Sequence, residues 1–521
     1  MRPPRPLPAA ALALAAALLL SSCNSHDIFG NGNSGSGGSS GTPARGTLLT
    51  KPPMKVASYS TSDLLSLLGV DELGKELISI AYSPACAIDV YQIQYQTVGG
   101  KGEAATASGA LMVPTGGAAN CQGALPIVLY AHATSSQKSF NIAQISTSSN
   151  GEGLILAAVF AAQGYIVVAP NYAGYDTSNL PYHPYLVADQ QSKDMIDALA
   201  AAKSALPVAT ATHVTGNGKV FVTGYSEGGY VAMATHSAMQ AAGTPPTASA
   251  PMSGPYALSA FGDAIFMGEV PGRAPFNLTF IVDSYQQTYG NVYSNTTDVF
   301  ESPYASGIGT LLPSSSSASD LYTQGRLPQD QLFNSAPPNA NYASITPATT
   351  PTNLALVFAQ GFGTSNLVTN QYRLDYLTDI AAHPDGGFPT FTTGTPPAAP
   401  ALAFRQDLKT NDLRNWTPAA PVLLCGGDAD PTVFFLNTNL MQQYWTSVAP
   451  SAPVTVMDID SSGGADSDLK LGFAVAKAAV AASAIAGGAT DGGTVAVFEA
   501  YHAGLVPPFC LSAAKRFFDT M

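Results

Sequence analysis

Three short apolar runs, 126–131, 165–169 and 219–223, are almost unbroken by polar residues, and helix-length segments at 153–163, 189–205 and 230–242 lie between or just after them. A strand with one wet face alternates apolar and polar side chains. A nearly continuous run of this length marks a strand buried on both faces, and its alternation with helices implies a mostly parallel central sheet flanked by helices, the α/β class. An earlier pair, 88–98 and 108–113, carries β-branched or alternating apolar residues around a Gly-containing turn and predicts an antiparallel opening. After a short strand-like stretch at 248–254 the alternation stops. From 256 to 416 the chain reads as irregular, with Ser- or Pro-rich patches at 312–320 and 386–400. The buried-strand pattern then returns at 421–425 and 454–459, a strand-like stretch follows at 494–498, and closing helices are expected at 469–485 and 511–518. The economical organisation is one core in two parts, 51–257 and 416–521, interrupted by a cap insertion at 258–415.

The amino terminus is expected to be removed or tethered. Arg2 and Arg5 precede an Ala/Leu run at 9–20, followed by Ser21 and Ser22, which together form an export signal over residues 1–22. Twelve apolar residues fall short of the roughly 20 that span a bilayer. The tetrad Leu20-Ser21-Ser22-Cys23 resembles the bacterial lipobox, which implies lipidation of Cys23 and membrane attachment through it. Residues 24–42 are mostly Gly, Ser and Asn and bury little, so 23–50 is assigned as lipidated Cys and flexible tether. By the same resemblance Asn24 favours the outer membrane or cell surface.

A single constellation in the core segments carries chemistry. Gly224-Tyr225-Ser226-Glu227-Gly228 is Gly-x-Ser-x-Gly, preceded by the strand 219–223 and followed by a helix. That setting makes a nucleophile elbow, in which glycines permit a turn tight enough to expose the Ser226 hydroxyl. The backbone N–H of Glu227 becomes one oxyanion donor, and its side chain is expected in the surrounding wall. The acid of such a site follows a late strand: Asp430 in Gly427-Asp428-Ala429-Asp430-Pro431-Thr432-Val433 fits, with Asp428 as competitor and turn residue. His502, after 494–498 and before the last helix, is the base. The loop after 126–131, His132-Ala133-Thr134, should supply the second oxyanion N–H from Thr134, with Ala133 as alternative and His132 structural. His26, His213, His236 and His383 are read as surface or packing residues.

Charge narrows the partners. With 21 Lys+Arg against 34 Asp+Glu the formal charge is -13, which repels nucleic acid and anionic headgroups. No Cys/His spacing suits zinc, so no metal or cofactor is expected in catalysis. Of five cysteines, four remain after Cys23, and in an exported protein they are expected to pair. Cys86 with Cys121 and Cys425 with Cys510 are favoured, because each pair brackets one local unit.

Taken in order, His132-Ala133-Thr134, Ala169-Pro170-Asn171-Tyr172-Ala173-Gly174, His183-Pro184-Tyr185-Leu186, the elbow and the Asp430 and His502 segments resemble the secretory lipase family of the lipase A type. The resemblance covers roughly 85–260 and 415–521, and implies an α/β-hydrolase fold with an inserted cap, hydrolysing acyl esters without a cofactor. This chain departs from it with Ala133 where the family usually has Gly and Asn171 where it has Asp. The resulting expectation is an exported, lipid-anchored hydrolase of small lipophilic carboxylic esters. The alternatives are a peptidase or amidase on the same fold, and a non-catalytic surface-binding lipoprotein.

Overall fold

The computed structural model describes residues 42–69, 83–145, 151–209, 214–389 and 391–521. The export signal, Cys23, the tether through residue 41, His26 and His213 lie outside the described residues. The unit Pro43–Met521 is described by itself. Its first residues correct the expected extent of the tether. Arg45 Nε donates to Asp197 at 3.0 Å, Gly46 N donates to Gln96 O at 2.8 Å, and Leu48 is buried in a bridge to Tyr95, so 43–50 is packed against the core.

The strands run β1 Met54–Tyr59, β2 Ala87–Val98, β3 Ala104–Thr115, β4 Ala124–Ala131, β5 Ile166–Pro170, β6 Thr215–Tyr225, β7 Ala248–Met252, β8 Phe333–Asn334, β9 Phe362–Gly363, β10 Val422–Gly426 and β11 Val454–Asp458. Nine form one sheet in the order β1-β2-β3-β5-β4-β6-β7-β10-β11, and β8 pairs only with β9. The β1–β2, β2–β3 and β3–β5 pairings are antiparallel, and every pairing from β5 through β11 is parallel. The chain order reverses at β4, which has β5 on one side and β6 on the other. In such sheets the crevice beyond the strand carboxyl ends at the reversal is where ligands bind.

The unbroken apolar runs have the expected cause. On one face Leu129, Val168 and Val222 pack with Met195, Ala202 and Val231 from the helices Ala188–Ala209 and Glu227–Ala241. On the other, their neighbours Val128, Val167 and Phe221 pack with Ile155, Leu156 and Phe509 from Gly151–Val159 and Val506–Asp519. Each such aliphatic side chain contributes about 1.5–3 kcal/mol on burial, so both faces of the central strands are committed to the core.

Two readings need correction. The segment 256–416 is substantially helical, with Leu258–Phe266, Ala274–Tyr289, Asn370–Ala382 and Ala403–Thr410. Its periodicity is masked because charged residues occupy core positions. Arg405 bonds Asp263 and Asp379, and Arg414 bonds Asp385 and Asp412, all buried. The stretch 494–498 is also helical, as Thr494–Ala500. The Asp491 carboxylate accepts from Gly493 N and Val495 N at its start, and the turn then continues through the π-helical Tyr501–Leu505 into Val506–Asp519. The helix Thr494–Ala500 packs on the helix Ser467–Ala486 rather than adding to the sheet.

Both expected disulfides are present, Cys86–Cys121 and Cys425–Cys510. The second ties β10 to the final helix.

Candidate active site

β6 delivers Ser226 and the helix Glu227–Ala241 leaves it. Ser226 sits at φ 59°, ψ -121°, a conformation a non-glycine residue adopts at a cost of about 1–3 kcal/mol. The surroundings enforce it. A Cβ on Gly224 would lie 2.3 Å from Gly228 O, and one on Gly228 would lie 2.0 Å from Ala131 O, so β4, β6 and the helix meet at a separation only glycine permits. Ser226 N donates to Met252 O at 3.0 Å, holding the elbow to β7.

The structure brings the other two sequence-predicted residues to this serine. His502 Nε2 is 2.8 Å from Ser226 Oγ, and His502 Nδ1 is 2.7 Å from Asp430 Oδ2. The second carboxylate oxygen of Asp430 accepts from Thr432 N at 2.9 Å and Val433 N at 3.0 Å, so this buried group has partners on both sides. Asp428 is exposed and donates its backbone N–H to Asp458 instead. His502 does not stand in a loop: it occupies the π-helical turn, and the Tyr225 hydroxyl donates to its carbonyl at 2.5 Å. Such one-turn widenings inside helices recur at functional sites. Tyr501, one residue earlier, donates to Asp460 at 2.7 Å and accepts from Ala429 N at 3.3 Å, joining the His502 turn to the Asp430 loop.

Behind the elbow lies a buried polar pair that sequence reasoning noticed as a motif without giving it a role. His183 Nδ1 faces Ala173 O at 2.9 Å and must donate there, while Nε2 lies 2.8 Å from Glu227 Oε1, which also accepts from Gln191 Nε2 at 2.8 Å. The Glu227 side chain is thereby turned into the protein. Its backbone N–H stands in the first turn of a helix, where developing negative charge is favoured.

The loop after β4 is held by the other motif residues. His132 is buried and stacked 4.1 Å from Tyr172, whose hydroxyl donates to His132 O at 3.0 Å, and the Tyr175 hydroxyl donates to Ser135 O at 2.7 Å. Asn171 Nδ2 donates to Ser108 Oγ at 2.9 Å and its Oδ1 accepts from Ile142 N at 2.8 Å, a network that uses the amide as both donor and acceptor. Ala133 N is engaged by Glu152, at 3.0 Å from Oε1 and 3.3 Å from Oε2. Burial pushes the Glu152 carboxyl up to about 7. His236, buried against Ser249 and Trp416, and His383, beside Asp379, are not among the residues lining the site.

Ser226, His502, Thr134 and Glu152 line one cavity of about 340 Å³. The rest of its wall is mostly apolar, with Leu258, Phe261, Ile265, Phe276, Ile281 and Phe404 coming from the 256–416 segment. Chemically, this is a hydroxyl hydrogen-bonded to an imidazole that is itself oriented by a carboxylate, opening onto space suited to a lipophilic group.

Comparison with known proteins agrees. The secretory lipase family model matches residues 140–254, which span the Asn171, His183 and elbow motifs. Among solved structures, the rice cell wall degrading esterase LipA from Xanthomonas oryzae superposes with a TM-score of 0.65 at 25% identity, covering 92% of this chain and 100% of that one. Its ligand-bound form gives a TM-score of 0.64 at 26% identity with the same coverage. A putative hydrolase from Legionella pneumophila subsp. pneumophila, at 20% identity and TM-score 0.62 over 91% of this chain and 97% of that one, shares the fold. No curated protein matches the chain. Fold and relatives together define an α/β-hydrolase acting on carboxylic esters. Within that class the match to the secretory lipase family lies in residues 140–254.

Proposed function

We propose that the protein is an exported, lipid-anchored carboxylic ester hydrolase in which Ser226 is the nucleophile, His502 the general base and Asp430 the orienting acid. The observation that carries this is the hydrogen-bonded series Ser226 Oγ, His502 Nε2, His502 Nδ1, Asp430 Oδ2, with links of 2.8 and 2.7 Å, at the wall of an apolar cavity. Asp430 holds the proton on Nδ1, which leaves the Nε2 lone pair facing the serine. As Ser226 Oγ attacks the ester carbonyl, its proton passes to Nε2. The resulting oxyanion takes N–H bonds from Glu227 and Thr134, each such donor being worth about 10²–10³ in rate. Collapse of the tetrahedral species expels the alcohol, which receives the proton from Nε2 and leaves an acyl group on Ser226. Water, deprotonated by the same imidazole, releases the acid.

Thr134 is preferred to Ala133 as second donor because the Ala133 N–H is already committed to Glu152. Residues 258–415 act as the cap, supplying the apolar wall that favours a lipophilic acyl or alcohol group. Attachment through Cys23 would keep the enzyme at the membrane or cell surface.

The test is hydrolysis of p-nitrophenyl esters from acetate to palmitate by protein lacking residues 1–42, beside Ser226→Ala and a matched anilide. Ester turnover that vanishes in the variant is expected. Cleavage of the anilide alone, or ester turnover that survives the substitution, would overturn the reading.

A further inference from the structure

The chemistry just proposed gives no part to Glu152, a carboxylate in the cavity wall. Glu152 lies in the first turn of the helix Gly151–Val159 and reaches across to the chain leaving β4. Its Oε1 accepts from Tyr130 Oη at 2.7 Å, and both oxygens lie within hydrogen-bond distance of Ala133 N. Tyr130 is the penultimate residue of β4 and fully buried, so the carboxylate is itself fixed to the rigid sheet.

The flanking residues explain what Glu152 adds. His132 O is held by Tyr172 and Ser135 O by Tyr175, both from the strand β5 side. His132 O shares one planar peptide with Ala133 N–H, so Tyr172 and Glu152 hold the two ends of the same unit, and Ala133 O, which shares the next peptide with Thr134 N–H, lies 2.6 Å from His132 Nδ1. Glu152 occupies Ala133 N–H from the cavity wall, at the end of that peptide opposite the Tyr172 contact. With that amide committed and the carbonyls on either side pinned, the remaining freedom of the turn is small and Thr134 N–H is the donor left for the substrate oxygen. Ala133 cannot compensate through a flexible backbone as a glycine would, because its Cβ restricts φ and ψ.

We propose that Glu152 is a positioning residue for ester hydrolysis: it sets the orientation of the 132–135 turn so that the Thr134 and Glu227 N–H groups converge on the carbonyl oxygen attacked by Ser226. This rests on the Ser226 chemistry proposed above. Donors of this kind act on the transition state more than on the bound ester, so the loss of Glu152 should fall on kcat.

The experiment compares Glu152→Gln and Glu152→Leu with the unsubstituted protein and Ser226→Ala, using p-nitrophenyl butyrate for kcat and KM and an alkyl trifluoromethyl ketone as a probe of the tetrahedral state. The Gln oxygen can still accept from Ala133 N, whereas Leu offers no acceptor. Glu152→Leu is expected to lose about 10- to 100-fold in kcat with KM within about threefold, and to weaken the ketone by a similar factor. Glu152→Gln should recover activity to within about fivefold of the parent. If circular dichroism shows Glu152→Leu unfolded, Ala133→Pro, which deletes the donated N–H and leaves Glu152 in place, carries the same expectation. Leucine activity close to the parent's, or glutamine as impaired as leucine, overturns the proposal. A parent enzyme whose turnover survives Ser226→Ala indicts the serine chemistry instead.

Discussion

Cutting the Cys425–Cys510 disulfide should reach the chemistry as well as the stability, whereas cutting Cys86–Cys121 should affect stability alone. Cys425 lies in β10, five residues before Asp430, and Cys510 lies in the helix that continues from His502. The bond therefore joins the strand leading to Asp430 to the helix that continues from His502. The chain-entropy model gives a first magnitude. A closed loop with sequence separation 85 corresponds to about 4.6 kcal/mol, and one of 35 to about 3.8 kcal/mol. With an unfolding entropy near 2.1 cal/mol/K per residue, the unit Pro43–Met521 changes by about 1 kcal/mol per degree near its midpoint, so each loss amounts to a shift of about 4–5 °C. The activity consequence separates them. Without its covalent link the Asp430–His502 contact depends on Tyr501, on the Tyr225 hydroxyl and on packing, and a displacement of order 1 Å costs up to about 10²-fold in rate. Cys425→Ala/Cys510→Ala should lower both the melting temperature and kcat at 25 °C, by about tenfold for the latter. Cys86→Ala/Cys121→Ala should lower the melting temperature by a similar amount with kcat within about twofold. Scanning calorimetry and ester kinetics on both variants decide it. Equal kcat in the two, or a shift below about 1 °C for the longer loop, would refute the reasoning.

Other substitutions follow from the same geometry. Asp430→Asn should lower kcat about 10⁴-fold with a small effect on KM, since an amide can hold His502 in the wrong tautomer; a loss under about tenfold in ester kinetics argues against Asp430 as the acid. Arg414→Met strands the buried carboxylates of Asp385 and Asp412 and should cost about 3–5 kcal/mol, read by denaturant unfolding; a neutral result would mean that both carboxyls protonate without consequence. Burial pulls His236 down to about 4 from an ordinary value of 6.5. The folded state then binds its proton more weakly than the unfolded chain does, so the stability present above pH 6.5 drains away as pH falls toward 4, by an amount of order 3 kcal/mol. His236→Gln should flatten that part of the melting-temperature profile, and an unchanged acid slope would contradict the assignment.

Much of this was legible in the sequence because the relevant signals are local. The nearly unbroken runs 126–131, 165–169 and 219–223 became β4, β5 and β6 because burial on both faces favours apolar residues there. The elbow was legible because its glycines answer to steric contacts with neighbouring backbone, and the two cysteine pairs because each closes one local unit. What escaped was non-local. The half-exposed edge strand β1 carries a weak alternation, and the helices of 256–416 bury arginines and aspartates whose pairing no periodicity reveals. Thr494-Val495-Ala496-Val497-Phe498 has strand-like composition, yet the Asp491 cap and the continuing turn at His502 make it helical. Glu152 lies 19 residues from the amide it holds, and the His183–Glu227 pair is separated by 44. No spacing rule links such partners before the fold is known.

The central claim is that Ser226 attacks the ester and carries the acyl group. It is tested most directly by treating the protein with a p-nitrophenyl alkylphosphonate, which mimics the tetrahedral species, and locating the adduct by peptide mass spectrometry. The account predicts one phosphonyl group on Ser226, loss of ester turnover in proportion to labelling, and no adduct in Ser226→Ala or, at comparable times, in His502→Ala. A label on another residue, or full ester turnover by a protein labelled at Ser226, would contradict it.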